Sequence, residues 1–296
     1  MSSNRTLVQL EGVNGDWFTL SGPGMGAEGV ILGTDVEGIF DAPVKTIWTE
    51  HAHQIGASYA GMRHLRRDIV FGVWIGKEAA DSWQANDSRW RKAWAYDRDC
   101  KLWVETEESG RRYLKVRLGE QPQFKPEKDP NILQSGRVLM TAIAGDPWWY
   151  EEADQTDTWV LESGTTGTGF VTVTNPTDQE MWLRWILQGG ARWTLPDYSH
   201  GDNRFRRAEV DAARRVQMPL QGPGQTFLVN TDPHEDQLRD ANGSQVWSLM
   251  NGVTYNYPIP AYTSAMQLPV SVTNATAGVG AQVLCKRTWS RPWGLE

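Results

Sequence analysis

Several places in this chain of 296 residues bring together side chains of the kind that catalysis or metal binding uses. His51-Ala52-His53 puts two imidazoles on one face of an extended segment, the start of a metal site. A zinc centre needs three or four ligands, and no further ligand follows at a recognisable spacing. Cys100 and Cys285 are far apart and neither has a local signature with histidine, so a nucleophilic thiol has no base. Asp154 and Asp157, near several tryptophans, form a carboxylate pair that could in principle hydrolyse a glycoside, but such pairs arise by chance. Gly22, Gly24 and Gly26 lead into Ala-Glu-Gly-Val, where no helix opens, so a phosphate cradle lacks its context. The G-x-S-x-G, H-E-x-x-H and Walker patterns are absent. The expectation is a chain that is not an enzyme, with no catalytic residues, no bound metal and no cofactor.

The remaining chemistry is aromatic. Asp146-Pro147-Trp148-Trp149-Tyr150-Glu151-Glu152 at mid-chain and Trp289-Ser290-Arg291-Pro292-Trp293 at the end are aromatic-proline knots. Proline fixes φ, lacks a donor and pushes its predecessor toward extended geometry, so each knot ends a module. Wide rings with a polar tip suit half-buried seams. Trp148, Trp149, Tyr150, Trp289, Pro292 and Trp293 are therefore candidates for inter-subunit or inter-domain packing, with stacking on a sugar as the alternative. Trp83, Trp90 and Trp94 share a helical face with Ala79 and Ala80 and are assigned to a core.

These residues need elements to hold them. Asn14-Gly15 is a hairpin signal joining strands at Thr6–Leu10 and Trp17–Leu20. Alternation predicts a strand over Ile69–Ile75, the period then changes to that of one helix within Lys77–Tyr96, and Leu102–Thr106 pairs with Tyr113–Leu118 in a hairpin. A strand spans Arg137–Ile143, and the Pro-rich Gly119–Asn131 stretch reads as a loop or flexible arm. After Glu152 the pattern is short strands and turns, including one strand over Gln245–Leu249, with the charged Asp202–Arg215 stretch as a loop or short helix, which reads as a β-sandwich. The fold class is mainly β with one helix, in two domains, residues 1–150 and 151–296. The first, with its strand candidates and arm, is the one expected to self-associate.

The net charge of -7 argues against binding nucleic acid through its backbone. Met1–Glu11 has no apolar signal-peptide core, and no stretch is long and apolar enough to be a membrane span. Two distant cysteines do not make a disulfide framework, so both are expected as free thiols, and Asn242-Gly243-Ser244 and Asn274-Ala275-Thr276 are turns.

The order of certain segments is similar to that of the distal tail (Dit) proteins of long-tailed bacteriophages, particularly minor tail proteins of siphophages infecting actinobacteria. The resemblance spans nearly the whole chain. It rests on Trp17-Phe18-Thr19-Leu20, Gly29-Val30-Ile31-Leu32, Gly38-Ile39-Phe40-Asp41-Ala42-Pro43, Val173-Thr174-Asn175-Pro176-Thr177, Phe227-Leu228-Val229-Asn230-Thr231-Asp232, Tyr257-Pro258-Ile259-Pro260-Ala261 and Arg291-Pro292-Trp293. It implies an N-terminal ring-forming belt domain and a C-terminal galectin-like β-sandwich. It further implies a virion protein at the tail tip or baseplate, synthesised in the host cytoplasm and assembled as a hexameric ring that joins the tail tube to the tail-tip hub. Self, tail tube protein, hub protein and tape-measure protein are the implied partners. The alternative is a carbohydrate- or receptor-binding sandwich module of the tail tip.

Overall fold

The computed structural model describes residues 5–34 and 36–296, so the first four residues of the leader reading, and Asp35, lie outside the described residues. The chain divides into two compact units, Met1–Glu152 with Trp289–Glu296, and Ala153–Thr288.

The first unit opens with β1 (Leu7–Glu11), β2 (Trp17–Ser21), β3 (Val30–Leu32), β4 (Val44–Thr49), β5 (Ser58–His64) and β6 (Arg67–Gly76). It continues with α1 (Trp83–Lys92), β7 (Cys100–Thr106), β8 (Gly110–Leu118), β9 (Gln123–Phe124), α2 (Pro130–Leu133), β10 (Ser135–Ala144) and β11 (Trp149–Glu151). Its main sheet runs β2-β1-β7-β8-β10-β6-β3, with β9 and β11 as side branches. The two ends of this path come together, Gly26 N donating to Thr19 O at 2.9 Å, and the sheet curls nearly closed. Alternation drives this. In β10, Val138, Met140, Ala142 and Ala144 point inward and are fully buried, while Arg137 points out.

Helix α1 is shorter than its predicted span because Ser82 caps it, accepting from Ala85 N at 3.2 Å; Lys77–Asp81 stays irregular. Trp83, Trp90 and Trp94 enter the core as expected, Trp90 standing edge-on to Phe18 at 5.1 Å. Two features correct the sequence reading. A second, one-turn helix, α2, starts at a proline and is capped by Asp129. The Gly119–Asn131 stretch is not a free arm: β9 pairs with β10, and Phe124 stacks on Trp83 at 5.6 Å.

The second unit holds β12 (Gln155–Val160), β13 (Gly167–Asn175), β14 (Leu183–Leu187), β15 (Arg192–Pro196), β16 (Arg215–Gln217), β17 (Phe227–Asn230), β18 (Leu238–Asp240), β19 (Thr263–Thr273) and β20 (Gly280–Cys285). They form two antiparallel sheets, β12-β20-β14-β17-β18 and β13-β19-β15-β16, whose inner faces share one core that includes Trp185 and Trp193. This is a β-sandwich. The expected strand at Gln245–Leu249 is instead one bridge, Arg239 to Gln245, followed by a 3₁₀ turn over Trp247–Met250. The reason is local. Asp240 accepts from Asn242 N and Ser244 N, which turns the chain sharply, and left-handed Asn251 ends the segment. The charged Asp202–Arg215 stretch is a set of turns that leads into β16 at Arg215.

The second unit also ends earlier than the expected 151–296 domain. The last strand, β21 (Thr288–Trp289), pairs with β11, and Trp289 is buried in the first unit's core.

Candidate functional site

The six aromatic-proline candidates converge on one region of the first unit, held by two buried arginines. Trp149, Tyr150, Trp289 and Pro292 are buried, whereas Trp148 and Trp293 are half-buried. Strand β11 sets Tyr150 opposite Tyr113, and their rings stack at 5.5 Å. Trp293 meets Phe40 edge-on at 5.0 Å, and Trp148 meets His64 at 4.5 Å. The rings of Trp149, Tyr150 and Trp289 are covered by their own unit. They offer no free face to another subunit, and only Trp148 and Trp293 keep surface for that role.

Arg112 lies directly over the Trp289 ring, 3.8 Å from its centroid. Its guanidinium donates to the carbonyls of Arg291 and Gly294 and to Glu296 Oε1 at 2.5 Å. Arg67, with no exposed surface, donates to the carbonyls of Gly38, Ile39, Phe40 and Asp41, to Pro147 O at 2.9 Å and to Ser290 O at 2.9 Å. Burial pulls this guanidinium down to about 10, with Asp41 pushing the other way. A buried cation is tolerable only when its fan of donors is met, and here backbone carbonyls from three chain segments do so. Those contacts fasten the chain end to the first unit. Gly38 is part of the arrangement: at φ 77° it is left-handed, and a Cβ there would lie 1.9 Å from Asp68 O.

The most exposed feature of the unit went unread in the sequence. Strands β4 and β5 form their own two-stranded sheet, in which every residue but one is exposed. Trp48 stands across from Tyr59 with rings 5.5 Å apart, and Val44, Ile47 and Met62 are also open to solvent. Lys45 sits opposite Arg63, and neither has an acidic partner among the described residues. The signal was present in the β-branched and aromatic run Val44-Lys45-Thr46-Ile47-Trp48-Thr49. His51 and His53 fall in the exposed turn between these strands, where His53 takes φ 74°, so the segment is not extended and does not set the two rings on a common face.

The other chemical candidates are placed as follows. Among the described residues no three His, Cys, Asp or Glu side chains are grouped for a metal. Cys100 and Cys285 are free, buried and in different units, and burial pushes each thiol up to about 11. Asp157 accepts from Thr158 N at 2.8 Å and Thr172 N at 2.6 Å, which makes it a backbone anchor. No helix of the described residues is long and apolar enough to cross a membrane.

The mainly β fold of this chain is shared with solved structures of phage proteins. It is similar to the Dit protein (gp 19.1) of phage SPP1, a hub of the adsorption apparatus in phages infecting Gram-positive hosts, with a TM-score of 0.59 at 11% identity, covering 96% of this chain and 98% of that one. It is also similar to a chain of the phage P2 baseplate in its activated conformation, with a TM-score of 0.55 at 10% identity, covering 95% and 98%. No protein-family model matches. Sequence relatives fix the family: the chain is 37% identical to minor tail protein Gp27 of Mycobacterium phage L5 and 36% identical to minor tail protein Gp27 of Mycobacterium phage D29. Each alignment covers 98% of this chain and 99% of the relative. The chain belongs to this family of phage minor tail proteins and is a structural component of the virion tail.

Proposed function

We propose that the chain is a ring subunit of the tail tip, self-associating through its first unit around the tail lumen. The ring, hexameric by its resemblance to distal tail proteins, joins the tail tube to the tip hub and has the tape-measure protein as a neighbour. It works by assembly and catalyses nothing. The observation that carries this reading is the bare β4–β5 hairpin. An isolated two-stranded hairpin is at best marginally stable in water, yet this one carries Trp48, Tyr59, Met62 and Ile47 with no cover from its own unit. A closed ring needs one surface on each subunit that fits a different surface on the next, and an apolar arm of this kind supplies one of the two. The absence of catalysis is supported by the two protonated, buried thiols and by the engagement of Asp157 with backbone amides.

Native mass spectrometry of the purified chain over a concentration series, with electron microscopy of intact tails, tests the proposal. The expected result is a six-fold ring with the first units lining the lumen. Sandwiches lining the lumen, or a single copy per tail end, would overturn it. Reproducible turnover of cell-wall polymer by a hydrolase-free sample would overturn the non-enzymatic part.

A further inference from the structure

The second unit carries an open cleft that its core does not need. It has a volume of ≈ 380 Å³, and its lining includes the rings of Phe205 and Trp247 and the polar side chains of Glu235, Asp236, Gln245 and Asn256. Phe205 is 50% exposed and Trp247 45%, although both are large apolar rings that folding normally hides. Phe205 is held edge-on by Tyr257 at 5.8 Å, and Trp247 is presented by the 3₁₀ turn that replaces the expected strand. A second cleft of ≈ 290 Å³, over the outer face of β14 and β17, also includes Glu235 and Asp236, so the two meet at these residues.

The chemistry of the lining selects a ligand. Aromatic faces accept a flat, weakly polar C–H surface, while carboxylate and amide oxygens accept hydrogen bonds. The matching molecule is apolar on one face and rich in hydroxyl donors at its rim, which describes a pyranose ring. A cation is a poorer fit. Asp236 is paired with Arg239, leaving Glu235 as the one lining carboxylate without a cationic partner among the described residues. Of the two amides in the lining, Gln245 is bonded to Asp236, and Asn256 suits a neutral hydroxyl better than a charge.

We infer that this cleft is a saccharide-binding site for a neutral oligosaccharide, with Trp247 as the stacking platform, Glu235 and Asn256 as hydroxyl partners, and the adjoining cleft receiving the next sugar unit. The inference is independent of how the first unit assembles, because every residue it uses lies in the sandwich.

The test uses the full-length chain on an array of immobilised neutral oligosaccharides of gluco, galacto, manno and arabino configuration, followed by calorimetry with the strongest binder. Choline and free lysine serve as cationic comparison ligands. The expected result is saccharide binding that Trp247→Ala and Glu235→Gln each weaken on the order of tenfold, and that Phe170→Ala, at an exposed position of β13 outside both clefts, leaves unchanged. Glu235 is exposed, so its substitution does not put folding at risk, and unchanged melting of both variants confirms that the readout is binding. No binding across the array, preference for choline or lysine, or saccharide binding indifferent to both substitutions would each overturn the inference.

Discussion

Two hairpins of the first unit are built from the same parts and meet opposite fates. In β7–β8, Trp103 faces Tyr113 across the strands at 4.8 Å and Lys101 faces Lys115. In β4–β5, Trp48 faces Tyr59 and Lys45 faces Arg63. The first pair of rings is covered: Arg111 lies 4.3 Å above Trp103, Lys101 sits beside both rings, and Tyr150 stacks on Tyr113. Its lysines are compensated too, Lys101 by Glu11 at 3.1 Å and Lys115 over Tyr150. The β4–β5 pairs have none of this. Cross-strand aromatic and cationic pairs therefore do not decide burial; neighbours from elsewhere in the chain do, and among the described residues the β4–β5 pairs have none.

The sharpest way to break this comparison is to truncate both tryptophans. Trp103 is 6% exposed and donates from Nε1 to Glu11 at 3.0 Å, so Trp103→Ala removes a packed ring and one of the two side chains that donate to that carboxylate. The expected cost is about 3–5 kcal/mol. Trp48→Ala, at a 55% exposed position, is expected to change the stability of the free subunit by less than about 0.5 kcal/mol while removing its capacity to form rings. Thermal melting together with light scattering separates the two effects. Equal losses of stability in the two variants would show that the hairpin is covered within the subunit.

How much of this was legible in the sequence follows from the same contrast. Hairpin β7–β8, strands β6 and β10 and most sandwich strands could be read because each buries one face, and burial imprints a period-two pattern. Strands β4 and β5 bury neither face, so Lys45, Thr46 and Ile47 follow one another without alternation that a core would impose. The mid-chain aromatic-proline knot was readable as a local signal and lies where the first unit's long segment stops at Glu152. The C-terminal knot, read as the end of the second module, belongs to the first unit. What the two knots pack against was not readable, because Arg112 and Trp289, or Arg67 and Ser290, meet across most of the chain with no local trace. The Trp247 platform was hidden for a related reason: its residues pass for a strand until Asp240 turns the chain back.

The two hairpins also differ in how they meet solvent protons. Cys100, the first residue of β7, is buried, and desolvation raises its thiol from the ordinary 9.0 to about 11. A raised thiol favours the fold while the protonated form prevails. That contribution is complete below pH 9 and is lost as pH climbs through about 11. Stability is therefore expected to decline over this interval, with a shallower slope in Cys100→Ala. Native protein at pH 8 is expected to resist alkylation at Cys100, whereas a thiol introduced by Ser58→Cys in β5 reacts at once. Fast labelling of native Cys100 would show that β7–β8 opens readily and is not the covered member of the pair.

The smallest effect tests the bare hairpin's charges. Lys45 and Arg63 are direct cross-strand partners of like sign, an arrangement that weakens a hairpin unless an anion lies nearby. The subunit supplies none among its described residues, although the chain as a whole carries a net charge of -7. Lys45→Glu turns the repulsive pair into an attractive one. In the free subunit it is expected to raise the melting temperature by roughly 1–2 °C, an increment that fades as salt screens the exposed pair. In the proposed ring the opposite sign is expected. If a neighbouring copy offers acids to this face, the substitution places like charges against one another and shifts assembly to higher protein concentration, again most visibly at low salt. The two measurements must move in opposite directions. A variant that melts higher and assembles as well as the parent would mean that the Lys45 face stays in solvent in the ring and that the Trp48 face alone makes the contact.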